Sequence, residues 1–276
     1  MLGKLIKYDF RCLIRKFGPM WLGLAALALL NGFTVGHVLE SDKFNGVLAF
    51  ILGGVPIMLM VTMWIALLVM MVVFVCERFY KGLLGDEGYL MFTLPAATWE
   101  HIASKLIVAL VLELITMLVG ALSGILFSLV YDAKGFMGAI EEIRRSLQEI
   151  GFRLPAGSGW FIFGLVLLCI FSTVSSDLQI YQSIALGHLA RKNRAAAAVL
   201  AYIAINVVMT ILISVLVPMG RGFMNSIFLL LNDNSAEAFL QGGNRMLGLM
   251  LGWCVVKSIL FFFGTNTILS RRLNLE

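Results

Sequence analysis

Gly53-Gly54-Val55-Pro56-Ile57-Met58-Leu59-Met60-Val61-Thr62-Met63-Trp64-Ile65-Ala66-Leu67-Leu68-Val69-Met70-Met71-Val72-Val73-Phe74-Val75-Cys76 runs for 24 residues without a charged side chain. A helix rises about 1.5 Å per residue, so about 20 such residues cross the ~30 Å hydrocarbon layer of a bilayer. The stretch therefore reads as a membrane-spanning helix. Similar runs recur, and six spans are expected at residues 17–38, 46–76, 106–130, 159–190, 195–217 and 246–269. The second and fourth are long enough to project beyond the hydrocarbon on their inner side.

Composition points the same way. Apolar residues make up 60% of the chain, charged residues only 13%, and the mean hydropathy is +0.95, whereas soluble domains are about half apolar and a quarter charged. No segment between the runs is large enough to form a soluble core. Residues 1–276 are read as a single all-α, polytopic membrane domain. The basic start of the chain has no short apolar stretch ending in small residues, so a cleaved leader is not expected. Cys12, Cys76, Cys169 and Cys254 are far apart and read as reduced packing residues, with neither metal spacing nor a disulfide framework.

The formal net charge is +5, but the basic residues flank spans and form no continuous soluble patch, so nucleic acid is not an expected partner. They set orientation instead. Thirteen Lys and Arg fall on the side that carries both termini, and seven on the other. By the positive-inside rule both termini are cytoplasmic, in an inner (plasma) membrane.

Residues 1–16 are expected as an interfacial amphipathic helix. On a helical wheel Leu2, Leu5, Ile6, Phe10, Leu13, Ile14 and Phe17 share one side, opposite Lys4, Lys7, Arg11 and Arg15. A helical insert is expected outside the membrane at residues 131–158, where Phe136, Ile140, Ile143, Leu147 and Ile150 recur at steps of three and four among charged residues. The connection at 218–245 holds apolar segments too short to cross, with a turn at Asn232-Asp233-Asn234-Ser235, and reads as re-entrant.

Several chemistries lack their residues. There is no G-x-x-x-x-G-K-[ST] phosphate loop, and His37, His101 and His188 form no H-E-x-x-H pair. No nucleophile, base and orienting group recur at a usable spacing. Catalysis, a bound metal and a cofactor on this chain are not expected. Glycine pairs four apart occur at Gly32/Gly36, Gly120/Gly124 and Gly248/Gly252, but 27 glycines in 276 residues make such matches expected by chance.

Glu113, Asp177 and Lys257 lie inside apolar runs, where a charge costs roughly 2.5–3.5 kcal/mol on the most lenient scale. Asp177 and Lys257 each lie fourteen residues before an inner basic residue, hence ~21 Å deep at ~1.5 Å per residue, and are natural partners. Glu113 is shallower, ~12 Å on the same arithmetic. Two readings stand: a polar patch on a translocation path, with Ser172, Thr173, Ser175, Ser176, Gln179 and Gln182 around Asp177, or an interhelical lock of Asp177 and Lys257 with Glu113 reaching interfacial water.

The connection at 77–105 is more than a linker. Gly85-Asp86-Glu87-Gly88-Tyr89-Leu90-Met91-Phe92-Thr93-Leu94-Pro95 places aromatic knobs between a glycine-acidic start and a proline stop, Thr98 is suited to cap the next helix, and Lys105 heads the third span. This segment resembles the coupling segment of permease subunits of type-2 ABC transporters, of the half-size bacterial kind. The order of elements along nearly the whole chain is similar as well, but the insert at 131–158 departs from the commoner members. The resemblance implies a permease, in the sense of an exporter, forming a path as a dimer with a second identical or homologous permease chain. It also implies a separate ABC ATPase subunit that carries ATP and Mg and meets this chain at Glu87, Gly88, Tyr89, Phe92, Leu94, Pro95 and Lys105. An ion-coupled secondary transporter using Glu113 or Asp177, and a sensor or scaffold subunit that transports nothing, are the alternatives. Membrane lipid is a partner in each reading.

Overall fold

The computed structural model describes residues 2–39, 46–47, 50–84, 97–149, 158–190, 193–216 and 236–271, and among them there is helix and turn but no strand. Seven α-helices follow in order: α1 (Leu2–Phe33), α2 (Val55–Phe79), α3 (Thr98–Tyr131), α4 (Ala133–Glu149), α5 (Ser158–His188), α6 (Arg194–Leu216) and α7 (Ala236–Arg271). The π-helical turn Thr34–Leu39 extends α1, and the turns Phe50–Gly54 and Tyr80–Leu84 flank α2. All but α4 are long and apolar enough to cross a bilayer, giving spans at Ile6–Gly36, Ile51–Leu83, Thr98–Tyr131, Gly159–His188, Arg194–Ser214 and Gly242–Ser270. The chain is an all-α, multi-pass membrane protein. Overshoot is common: α6, with 23 residues, and α2, with 25, are near the ~20 that a bilayer requires, while α1, α3, α5 and α7 have 31 to 36.

Three elements differ from the sequence expectation. Residues 2–16 are helical but not a separate element: α1 runs unbroken through Pro19, which removes only the bond its N–H would give to Arg15. Residues 236–245, expected within a re-entrant connection, are the first turns of α7. Gln241-Gly242-Gly243-Asn244 has poor helix propensity, yet the helix persists because it packs on α5 there. A Cβ on Gly243 would sit 2.6 Å from the Phe161 ring. The remainder of that connection, 217–235, lies outside the described residues, as do residues 150–157 of the outer insert. Its helix, α4, is present at 133–149, but instead of being half-buried it exposes Met137, Ile140 and Ile143.

The chain divides into two compact units. One comprises residues 3–74 and 111–152. In it Phe17 meets Phe74 edge-on at 5.4 Å, the Trp21 indole donates to Thr116 Oγ1 at 3.3 Å, and the fully buried Asn31 donates its amide to the carbonyls of Leu27 and Pro56 at 2.9 and 3.0 Å. The glycine pair Gly32/Gly36 is used here, within the chain. Cβ atoms at these positions would meet Phe127 O at 2.9 Å and Tyr131 O at 2.5 Å, so α1 approaches the end of α3 more closely than any other residue type allows.

The other unit holds residues 75–110 and 153–276, with α5 packed against both α6 and α7. Just before α6 Asn193 takes a left-handed φ of 53°, and the Gly187 backbone of α5 abuts Ala198 of α6. The core of this unit gathers Val75, Phe79 and Leu83 from the end of α2, Ile102 and Ala109 from α3, Leu178 and Tyr181 from α5, and Phe261 and Leu269 from α7.

Candidate functional site

The core just described contains both ends of the connection between α2 and α3. Phe79 and Leu83 on one side and Ile102 on the other are fully buried, and Phe79 stacks on Tyr181. The described residues stop at Leu84 and resume at Ala97. Glu87, Gly88, Tyr89, Phe92, Leu94 and Pro95 lie outside the described residues, so of the seven coupling residues read from the sequence only Lys105 is placed. Lys105 is buried, at 4% exposure, and its Cε and Nζ lie 3.2 and 3.3 Å from where a Cβ on Gly82 would be. The absent side chain of Gly82 thus makes room for the lysine head. Where the sequence suggested Thr98 as a helix cap, its hydroxyl instead bonds across the unit to Asn266 Oδ1 on α7, at 2.7 Å.

A belt of buried polar side chains surrounds this base. His101, Ser104 and Lys105 come from α3, Ser175, Asp177, Gln179 and Ser183 from α5, and Ser258 and Thr265 from α7. Helix carbonyls take up the small hydroxyls: Ser104 donates to His101 O at 2.9 Å, Ser183 to Gln179 O at 2.7 Å and Ser258 to Cys254 O at 2.8 Å. Gln182 reaches α7, with both carboxamide atoms 2.9 Å from the Cβ position of Gly264. Gln179 Nε2, Gln182 Oε1 and Thr265 Oγ1 are buried with no hydrogen-bond partner among the described residues. These three atoms are one donor, one acceptor and one group that can be either.

Asp177 and Lys257 are not paired. Asp177 is buried within electrostatic reach of the Cys76 thiol on α2. Lys257 forms no ion pair among the described residues; its ammonium lies 5.8 Å from the Phe261 ring centroid, a cation–π contact. The expected Asp177–Lys257 partnership is absent because equal depth does not imply equal azimuth. The buried face of α7 is Ser258, Phe261, Thr265 and Leu269, and Lys257 lies about 100° around the helix from Ser258. Glu113 is half-buried and belongs to the other unit.

Sequence reasoning placed Ser175 and Gln179 in the polar patch around Asp177, but it passed over His101, Ser104, Asn31 and Ser183, which completes the spaced set Ser175, Gln179 and Ser183. The last had a legible signal. Three polar residues at four-residue steps inside an apolar run mark one helix face, and that face is buried. Beside the belt, Leu186, Ile259, Leu260 and Phe263 line a groove of about 510 Å³ between α5 and α7, apolar apart from Thr267. No family model, curated protein or solved structure matches this chain.

Proposed function

We propose that this chain is the membrane-spanning permease subunit of an ATP-driven transporter of the type-2 ABC kind, acting as an exporter in the bacterial cell membrane with both termini cytoplasmic. It works as a dimer with a second permease chain, and a separate ATPase subunit supplies ATP hydrolysis. The observation that carries the reading is the burial of both ends of the 85–97 connection in one core. Phe79, Leu83 and Ile102 share that core with Leu178 and Tyr181 of α5 and Phe261 and Leu269 of α7, so a push passed to either end of the connection bears on those helices. A soluble motor that grips Tyr89 and Phe92 would thereby shift helices in the bilayer. The polar belt next to this base gives such a shift something to open or close.

One observation favours a second reading. Asp177 is buried in a belt of polar side chains, as a carboxylate carrying a proton or cation in an ion-coupled carrier would be. The two readings separate in reconstituted vesicles. The permease reading expects an ATPase encoded beside this gene to copurify with the chain, and expects Tyr89→Ala with Phe92→Ala to weaken that association or uncouple hydrolysis while leaving the protein in the membrane. Transport driven by an ion gradient with no ATPase present would overturn it in favour of the carrier.

A further inference from the structure

Helix α4 begins where a span ends. Span α3 stops at Tyr131, whose ring stacks with Phe127 at 5.9 Å, and α4 starts two residues later at Ala133. Asp132 makes the junction: its carboxylate accepts from the Gly135 N–H at 2.9 Å, and its carbonyl from the Phe136 N–H at 2.9 Å. This capping fixes the start of α4 at the level where α3 leaves the hydrocarbon.

The helix is sharply two-sided. Ile140 and Ile143, 46% and 60% exposed, share a face with the half-buried Phe136. Arg144 falls at the edge of that face, but Glu141 accepts two hydrogen bonds from its guanidinium, at 2.9 and 2.8 Å, and a longer one from Arg145 at 3.4 Å. The bidentate pair draws Arg144 toward the polar side, leaving an uninterrupted apolar strip. Gly135 and Gly138 lower the intrinsic helicity of the segment, and a 17-residue helix is marginal alone in water. Something must cover the strip, and the nearest apolar phase is the bilayer that α3 has just left.

We propose that α4 is an interfacial membrane helix, lying in the bilayer surface with Phe136, Ile140 and Ile143 among the lipid chains and Glu141, Glu142 and Arg145 facing water. Its occupant is lipid, and the binding is apolar. Lys134, Arg144 and Arg145 balance Glu141, Glu142 and Glu149, so the segment carries no net charge to select anionic headgroups. The proposal holds whichever side of the membrane α4 occupies and whatever the chain transports.

The test uses the full chain, with Cys12, Cys76, Cys169 and Cys254 replaced by alanine, reconstituted in phosphatidylcholine vesicles. Nitroxide labels at Ile140→Cys, Ile143→Cys and Glu142→Cys report collisions with oxygen, enriched in lipid, and with a water-soluble nickel chelate. The expected result is that labels at 140 and 143 lose nickel collisions and gain oxygen collisions, while the label at 142 does the opposite. Adding phosphatidylglycerol should leave this pattern unchanged. Equal nickel access at all three sites would overturn the proposal, since α4 would then lie free in water. Loss of both reagents at 140 and 143 would overturn it in favour of a protein partner such as a second copy. Lipid-like access appearing only with phosphatidylglycerol would overturn the apolar mode of binding.

Discussion

The ring of Phe79 lies flat on that of Tyr181, with centroids 4.3 Å apart and planes 8° from parallel. The stack ties the end of α2 to the middle of the most buried stretch of α5, and both rings are enclosed. Phe79→Ala removes the ring and leaves a cavity, which typically costs about 3–5 kcal/mol. Tyr181→Phe keeps the stack and should cost much less. Denaturant unfolding in micelles, followed by tryptophan fluorescence, will rank the two; equal losses would mean that the stack is not what holds α2 to α5.

Gly36 and Gly248 make a matched pair of opposites. A side chain at Gly36 runs into the backbone oxygen of Tyr131, which has nowhere to move, whereas nothing lies within 4 Å of the Cβ position at Gly248. Gly36→Val should therefore destabilise by about 1–3 kcal/mol or more, the range for overpacking. Gly248→Val should be close to silent in the same unfolding measurement.

Asp177 and Lys257 should behave independently. Asp177→Asn alters a buried group and Lys257→Gln one beside an aromatic ring, and no ion pair joins them. The double variant should match the sum of the single effects within about 0.5 kcal/mol, as for unlinked sites. Rescue by exchanging the two charges would show that they meet.

The ion pair on α4 gives a pH dependence of known sign. Hydrogen bonds from Arg144, and secondarily Arg145, hold the Glu141 carboxyl below the ordinary glutamate range. Its contribution to the helix is complete above that range and is lost as pH falls through the lowered value. In a carbon-13 carboxyl titration, Arg144→Ala should move the Glu141 midpoint up toward the ordinary glutamate range; an unmoved midpoint would mean that the pair does not persist in solution.

The spans were legible because a bilayer imposes one crude requirement, a long run without charge, and the chain meets it six times. What was not legible depends on which way a side chain faces. Counting from the inner basic residues placed Asp177 and Lys257 at one depth, but only the packing of α7 reveals that Lys257 points elsewhere. Residues 236–245 read as part of a re-entrant connection until Phe161 is seen covering Gly243 on α7. Thr98 reads as a cap until Asn266 is found opposite it, 168 residues along the chain. The site was half legible: the 77–105 connection stood out by its glycines, aromatics and proline, whereas the belt beneath it is composed of serines, glutamines and a histidine that mean little until three helices bring them together.

The bond between Thr98 and Asn266 also carries a consequence for how the protein is made. Ribosomes add about 5–20 residues per second, so roughly 10–30 s separate the two partners during synthesis. Throughout that interval Thr98 and Ile102 lack Asn266, Phe261 and Leu269, their partners on α7. The nascent chain must wait as an open intermediate, with those side chains facing lipid, the insertion machinery or a chaperone. Quality control can read that exposed surface directly: a ribosome stalled before Phe261 leaves a product whose first five spans are present but whose inner seam has never closed.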